Sequence, residues 1–341
     1  MILHPALCIP VTSPLPDAAA DNWVDRHAPV AWRPWLKLGR LDRPTGIWLL
    51  MLPGWQGIAL SSAIDGVWPD PVLLAKFAAG AALMRAAGCA YNDIVDRDID
   101  AKVARTARRP IPAGEISVRG AWVFLIACAL AALAILISLN ILSLFLGVAS
   151  LALVAAYPFM KRITWWPQAW LGLTFNWGVL LGFAAARGGP SSLNLMTLVV
   201  GAWASGYNLT VFTPGLPPAS VLLYLSGVAW TLGYDTVYAL QDIEDDALAG
   251  VKSSARRLGA AAPRAILAFY AVSVALAVAA GWAAGLGVAY LLGVAIFAIH
   301  LARQALAVRV GDPAGALAIF KSNTLAGVLL FAALVAGQWR P

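Results

Sequence analysis

Long apolar runs separated by short polar and basic stretches make up most of the chain. They cover 44–62, 71–91, 119–139, 141–158, 167–186, 220–241, 263–283, 286–307 and 320–337. Each is close to the roughly 20 residues an α-helix needs to cross a bilayer core. The pattern predicts an all-α, polytopic transmembrane bundle of about nine helices. A further stretch, 194–212, is only weakly apolar and contains Gly201, Ser205, Gly206 and Asn208.

Basic residues set the orientation. With the N-terminus inside and nine crossings, the inner segments hold Arg26, Arg33, Lys37, Arg40 and Arg43, then Arg97 to Arg119, Lys161 and Arg162, Lys252 to Arg264, and Arg303 to Lys321. The outer segments hold only Arg187 and Arg340. This is the positive-inside pattern. A crossing at 194–212 would move the second acidic stretch outside, so 194–212 is expected to be re-entrant or to lie against the outer face.

Composition agrees. Hydrophobic residues are 61% and charged residues 12%, with mean hydropathy +0.76, against about 25% charge in a soluble domain. The net charge of +7 belongs to cytoplasmic loops, so membrane lipid and not nucleic acid is the expected partner. Cys8, Cys89 and Cys128 form neither a metal spacing nor an even disulfide set. His4, His27 and His300 are scattered, so neither zinc nor haem is suggested. Residues 1–30, with five prolines and the acids Asp17, Asp21 and Asp25, are expected to be a disordered tail ahead of one membrane domain, 31–341. They lack the features of a secretory signal, and no Arg precedes Arg26, so a bacterial inner membrane is expected. The N-terminus and acidic stretches would be cytoplasmic.

Two acidic stretches carry the chemistry. NDIVDRDID supplies Asn92, Asp93, Asp96 and Asp100; YDTVYALQDIEDD supplies Asp235, Asp242 and Asp246. Asp96 and Asp100 are four apart, as are Asp242 and Asp246, which places each pair on one helix face. Acids beside membrane spans are costly and tend to mark function. Oxygen ligands favour Mg²⁺, which commonly joins a few carboxylates to a substrate phosphate. Asp93, Asp96, Asp100, Asp242 and Asp246, with the Asn92 carbonyl, are therefore candidate metal ligands around a diphosphate; solvated acidic loops are the alternative. Each stretch is followed by bases, Arg109 closing the first run and Lys252 opening the second, suited to phosphate oxygens. Arg43, beside Arg40 and Asp42 before the first span, is either an orientation anchor or an anion clamp. The segment 157–178 is dense in Trp and bases, with Asn176 and Gln168 in an otherwise apolar setting.

These stretches, with LDRPTGIWLLMLPGW (41–55), the run 84–114, YPFMKRITWWPQAWLGLTFNWG (157–178), the run 233–259 and FKSN (320–323), carry a resemblance. The chain resembles the UbiA superfamily of membrane prenyltransferases, and PFMKRITWWPQ and FNWG are similar to its 4-hydroxybenzoate branch. The resemblance implies nine helices around a central cavity and Mg²⁺-dependent transfer of a polyprenyl group from polyprenyl diphosphate to the ring of 4-hydroxybenzoate in ubiquinone biosynthesis. It implies that Asn92, Asp96, Asp100, Asp242 and Asp246 serve the Mg-diphosphate. Arg97, Lys161 and Arg162 would contact diphosphate or carboxylate, and Asp235 or Asp242 would remove the ring proton. About 25 residues around 191–216 exceed the family's usual short loop. A prenyltransferase for haem or another quinone precursor keeps the acidic stretches without needing 157–178. A cation channel or transporter is disfavoured, because its acids would sit near the bilayer midplane.

Overall fold

A computed structural model describes residues 18, 21–101, 106–187, 216–241, 243, 247 and 250–339. The 194–212 stretch, and Asp242 and Asp246, lie outside the described residues. Among those described, nine helices have 20 residues or more: Thr45–Asp65, Pro71–Asp100, Val118–Ile137, Ile141–Ile163, Pro167–Arg187, Pro218–Ala239, Ala262–Ala283, Val288–Ala307 and Pro313–Ala336. Eight are long and apolar enough to cross a membrane. The chain is a multi-pass membrane protein of helices. Two helices extend beyond their apolar runs. Pro71–Asp100 carries the first acidic stretch on its last turns. Pro313–Ala336 starts early because Asp312 caps it, accepting from Gly315 N–H, with Pro313 at its first position.

The chain divides into two compact units, residues 1–46 with 85–128, and 47–84 with 129–341. In the second, the Pro218–Ala239 helix is the exception to the hydropathy rule, and its packing explains why. It lies against Pro167–Arg187, Ala262–Ala283 and Pro313–Ala336, so protein rather than lipid surrounds much of it. Its polar side chains find protein partners, as a dry interior requires. Ser226 donates to the Ser273 carbonyl at 2.8 Å, and Trp230 Nε1 to Asn323 Oδ1 at 2.8 Å. Thr231 accepts from Asn176 Nδ2 at 2.8 Å.

Two further devices hold this unit. Trp170 and Trp177, seven residues apart on Pro167–Arg187, donate to the carbonyls of Leu153 and Leu146, each at 2.8 Å, on the Ile141–Ile163 helix. These two indoles are rungs between helices, while Trp165 and Trp166 stay exposed. Gly54 meets Gly178 and Gly182, and Gly57 meets Val179, where Thr45–Asp65 crosses Pro167–Arg187. A Cβ at Gly57 would fall on the Val179 carbonyl, and one at Gly182 on the Gly54 carbonyl. Small residues allow such backbone approach between membrane helices.

In the first unit, part of the expected tail is ordered. Trp23–His27 is a helix capped by Asn22, whose Oδ1 accepts from Asp25 N–H at 3.1 Å. Asp25 and Lys37 pair at 2.8 Å with both side chains nearly buried, and Trp23 Nε1 donates to the Leu41 carbonyl at 2.7 Å. Within the expected 1–30 tail, an internal ion pair and a cap thus stabilise 22–27, features that proline content conceals. Behind Arg33–Leu38, a small core of Leu38, Ala90, Ile94, Ile111, Ile116 and Ala121 supports the end of the acidic helix.

Two outcomes test this packing. Gly57→Ala and Gly182→Ala should each destabilise by about 1–3 kcal/mol, because the obstacle is backbone, and lower the thermal midpoint in detergent. Gly80→Ala, with open space around its Cβ, should leave the midpoint unchanged or raise it. Burial pushes the Asp25 carboxyl up, but hydrogen bonds from Lys37 and Asn22 and the charges of Lys37 and Arg33 hold it below its ordinary value. Its stabilisation is present above the unfolded carboxylate range, about pH 4, and is lost as pH falls through the lower folded value. Hydrogen exchange over 22–38 should accelerate on acidification in the wild type, and should already be fast at neutral pH in Asp25→Ala.

Candidate active site

The last turns of Pro71–Asp100 hold the first acidic stretch. Asp93 and Asp96 are fully buried and Asp100 nearly so. Asp93 and Asp100 are two turns apart on one face, and Arg109 joins them. The chain doubles back after the helix: Thr106 Oγ1 donates to the Asp100 carbonyl at 2.9 Å, and Arg109 N–H to the Thr106 carbonyl at 2.9 Å. Arg109 Nη1 then lies 2.7 Å from Asp100 Oδ2 and 3.3 Å from Asp93 Oδ1. From the other side Arg40 Nη2 donates to both Asp93 oxygens, at 2.7 and 2.9 Å. Such charge-assisted pairs are what make buried carboxylates tolerable.

The electrostatics follow. Burial alone would lower Arg40, but Asp93 first, and Cys89 and Asp42 with it, hold its guanidinium far above its ordinary value. Burial pushes the Asp100 carboxyl up, with Arg109 opposing and the Asp93 and Asp96 charges adding. Asn92 is half-buried beside this cluster.

Several expected site residues have other partners here. Arg97 is exposed and sits 3.5 Å from exposed Asp98. Arg43 pairs with its neighbour Asp42 at 3.3 Å. Asp93, expected among the metal ligands, has both oxygens engaged by Arg40. The sequence places Arg109 among bases suited to phosphate oxygens and Arg40 beside the candidate clamp Arg43, and joins neither to Asp93. The available signal was the seven-residue spacing of Asp93 and Asp100, which calls for one shared cation.

In the second unit Asp235 is half-buried near the end of Pro218–Ala239. Lys161 and Arg162 occupy the last turn of Ile141–Ile163, where cations suit the helix dipole. Lys252, expected to meet substrate, instead braces that helix end: its N–H donates to the Lys161 carbonyl at 2.9 Å and its Nζ to the Ile163 carbonyl at 3.1 Å. Gln168 Oε1 accepts from Ser254 N–H at 3.1 Å, Ser254 and Thr236 hydroxyls meet at 2.7 Å, and the Arg256 guanidinium lies over the Trp165 ring. The PFMKRITWWPQ segment thus grips 252–256, the basic run that follows the second acidic stretch.

Among the described residues no three His, Cys, Asp or Glu side chains are grouped to hold a metal ion. The donors that are present, Asp96 and Asp100 one turn apart with Asn92 beside them, have the oxygen chemistry that suits Mg²⁺. The second acidic pair falls outside the described residues.

A family model described as the UbiA prenyltransferase family matches residues 50–334. The mitochondrial 4-hydroxybenzoate polyprenyltransferase of Drosophila melanogaster is 43% identical over 307 residues, 90% of this chain and 72% of that protein. Its counterpart in Rattus norvegicus is 43% identical over 315 residues, 92% of this chain and 77% of that one. The apo structure of a UbiA homolog from Aeropyrum pernix K1 aligns with a TM-score of 0.66 at 28% identity, covering 84% of this chain and 96% of that chain. A UbiA homolog from Archaeoglobus fulgidus, solved bound to GPP and Mg²⁺, shares the fold at a TM-score of 0.54 and 19% identity, covering 89% and 99%.

Removing the Gln168 carbonyl tests the grip on 252–256. Gln168→Leu leaves the buried Ser254 N–H without that acceptor and should cost about 1–3 kcal/mol, seen as faster hydrogen exchange confined to 252–258. Unchanged exchange there would show that the contact holds nothing.

Proposed function

Because the chain belongs to the UbiA prenyltransferase family, we infer that it transfers a polyprenyl group from its diphosphate to the ring of 4-hydroxybenzoate, a step of ubiquinone biosynthesis. The observation that carries this reading is 43% identity, sustained over nine-tenths of the chain, to enzymes of that name.

The residues fit the chemistry. Asn92, Asp96 and Asp100 would hold Mg²⁺, and the sequence motif assigns Asp242 and Asp246 the same task. Bound there, Mg²⁺ would neutralise the diphosphate and ease its departure. Lys161 and Arg162, cations at a helix C-terminus, would meet anionic oxygens of the diphosphate or of the aromatic acid. Departure of the diphosphate develops positive charge on the allylic carbon, and aromatic side chains stabilise such charge while excluding water. The phenol ring attacks ortho to its hydroxyl. Asp235, half-buried on a helix that protein largely encloses, is the proposed acceptor of the displaced ring proton. Lys252 and Arg97 are left out of the substrate contacts, since Lys252 braces a helix end and Arg97 is exposed beside Asp98. The compartment is proposed only as a membrane whose basic side holds the acidic helix ends; the Drosophila melanogaster and Rattus norvegicus relatives are mitochondrial and lend no support to a bacterial inner membrane.

Purified protein in liposomes, given radiolabelled prenyl diphosphate and 4-hydroxybenzoate, should release pyrophosphate only with Mg²⁺. Asp96→Asn should lower turnover at least about a hundredfold, as loss of a charge-stabilising group does, while the protein still inserts. Turnover retained in Asp96→Asn would remove the acidic stretch from the mechanism. Turnover with a different acceptor alone would change the substrate and keep the family.

A further inference from the structure

The first acidic stretch contains more carboxylates than one metal-diphosphate needs, and the structure separates their work. Asp93 is fully buried. A carboxylate offers about four lone-pair sites, and three on Asp93 are occupied: two by Arg40 and one by Arg109. A divalent cation on the fourth would face two guanidinium charges. Asp100 differs, since Arg109 takes its Oδ2 alone.

Arg40 is unusual in its backbone as well. Its φ is +58°, and among the described residues it is the one non-glycine residue with positive φ. Side chains enter that region reluctantly, and such residues persist where their surroundings over-determine them. Here those surroundings are the Asp93 fork and the Lys37 carbonyl, which accepts from Arg40 Nη1 at 3.2 Å. The result is a chain of alternating charge, Arg40, Asp93, Arg109, Asp100. Arg109 is shared between two carboxylates, closer to Asp100, and Asp93 keeps it from pairing with Asp100 alone.

We propose that Arg40 and Asp93 are positioning residues that set how Arg109 is divided between Asp93 and Asp100, and that Asp93 is not a ligand of the metal. The proposal rests on the prenyl-transfer reading above. Asp93→Asn leaves Arg109 with Asp100 as its one carboxylate partner among the described residues, so that Arg109 competes with the cation. Arg40→Gly removes the guanidinium while relaxing the left-handed backbone, which separates the side chain's role from strain in the turn.

The test uses the full chain in detergent, with two readouts. One is the rise in melting temperature given by Mg²⁺ with inorganic pyrophosphate; the other is the Mg²⁺ concentration that gives half-maximal transfer. Asp93→Asn should keep the thermal response and raise the half-saturating Mg²⁺ about tenfold, as loss of an outer partner of a ligand does. Arg40→Gly should likewise keep the thermal response and shift the half-saturating Mg²⁺ in the wild-type background, and should shift it no further in Asp93→Asn, because it acts through that carboxylate. Arg40→Lys, which keeps charge but loses the two-bond fork, should fall between wild type and Arg40→Gly. The proposal is overturned if Asp93→Asn abolishes the thermal response as Asp96→Asn does while Arg40→Gly leaves it intact. Additive effects of Arg40→Gly and Asp93→Asn would overturn it too. A wild-type protein that shows neither thermal response nor transfer counts against the prenyl-transfer reading. The pair is then decided by melting points without ligand, where non-additive losses support it and additive losses reject it.

Discussion

A charge removed from water must be met by another charge, and this requirement organises the acidic end of the Pro71–Asp100 helix. Asp93 and Asp100 are held in place by arginines from two different stretches, one before the first long helix and one after the second. The turn at 106–114 exists in this form because it must return Arg109 to the helix end, and the 39–43 segment adopts its left-handed residue where Arg40 reaches Asp93. Desolvation penalties of several kcal/mol per ion leave little freedom in these arrangements. Local backbone conformation thus follows from electrostatics as much as from propensity.

The same requirement in its neutral form shapes the second unit. Membrane helices gain little from the hydrophobic effect against one another, so close packing and interhelical hydrogen bonds must join them. Glycines 54, 57, 178 and 182 provide the first, and the Trp170, Trp177, Trp230 and Asn176 donors provide the second. The Pro218–Ala239 helix carries serines, threonines and Asp235 because protein encloses much of it. A rigid scaffold of this kind suits a reaction in which a reactive carbon must be kept from water.

The helices were legible because bilayer thickness imposes one length on every apolar run; Pro218–Ala239 was read as the run 220–241 despite its polar face. Their ends were less legible. Apolar runs stop at the first charge, whereas Pro71–Asp100 continues through four aspartates, its buried carboxylates neutralised by partners far away in sequence. The acidic stretch was found from helical spacing, but spacing alone could not distinguish Asp93 from Asp96. That distinction needs Arg40, 53 residues earlier. Lys252 is ambiguous for a related reason: a base after an acidic motif suits phosphate, and it suits an unsatisfied helix-end carbonyl equally well. The order at 22–27 depends on one buried ion pair with Lys37, which no local pattern announces.

A density map of the protein in a lipid nanodisc with Mg²⁺ and pyrophosphate tests the account most directly. It should show Arg40 engaged by both Asp93 oxygens, and metal density within about 2.1 Å, the usual Mg–oxygen distance, of oxygens from Asp96 and Asp100. Metal density bonded to Asp93, with Arg40 turned away, would contradict it.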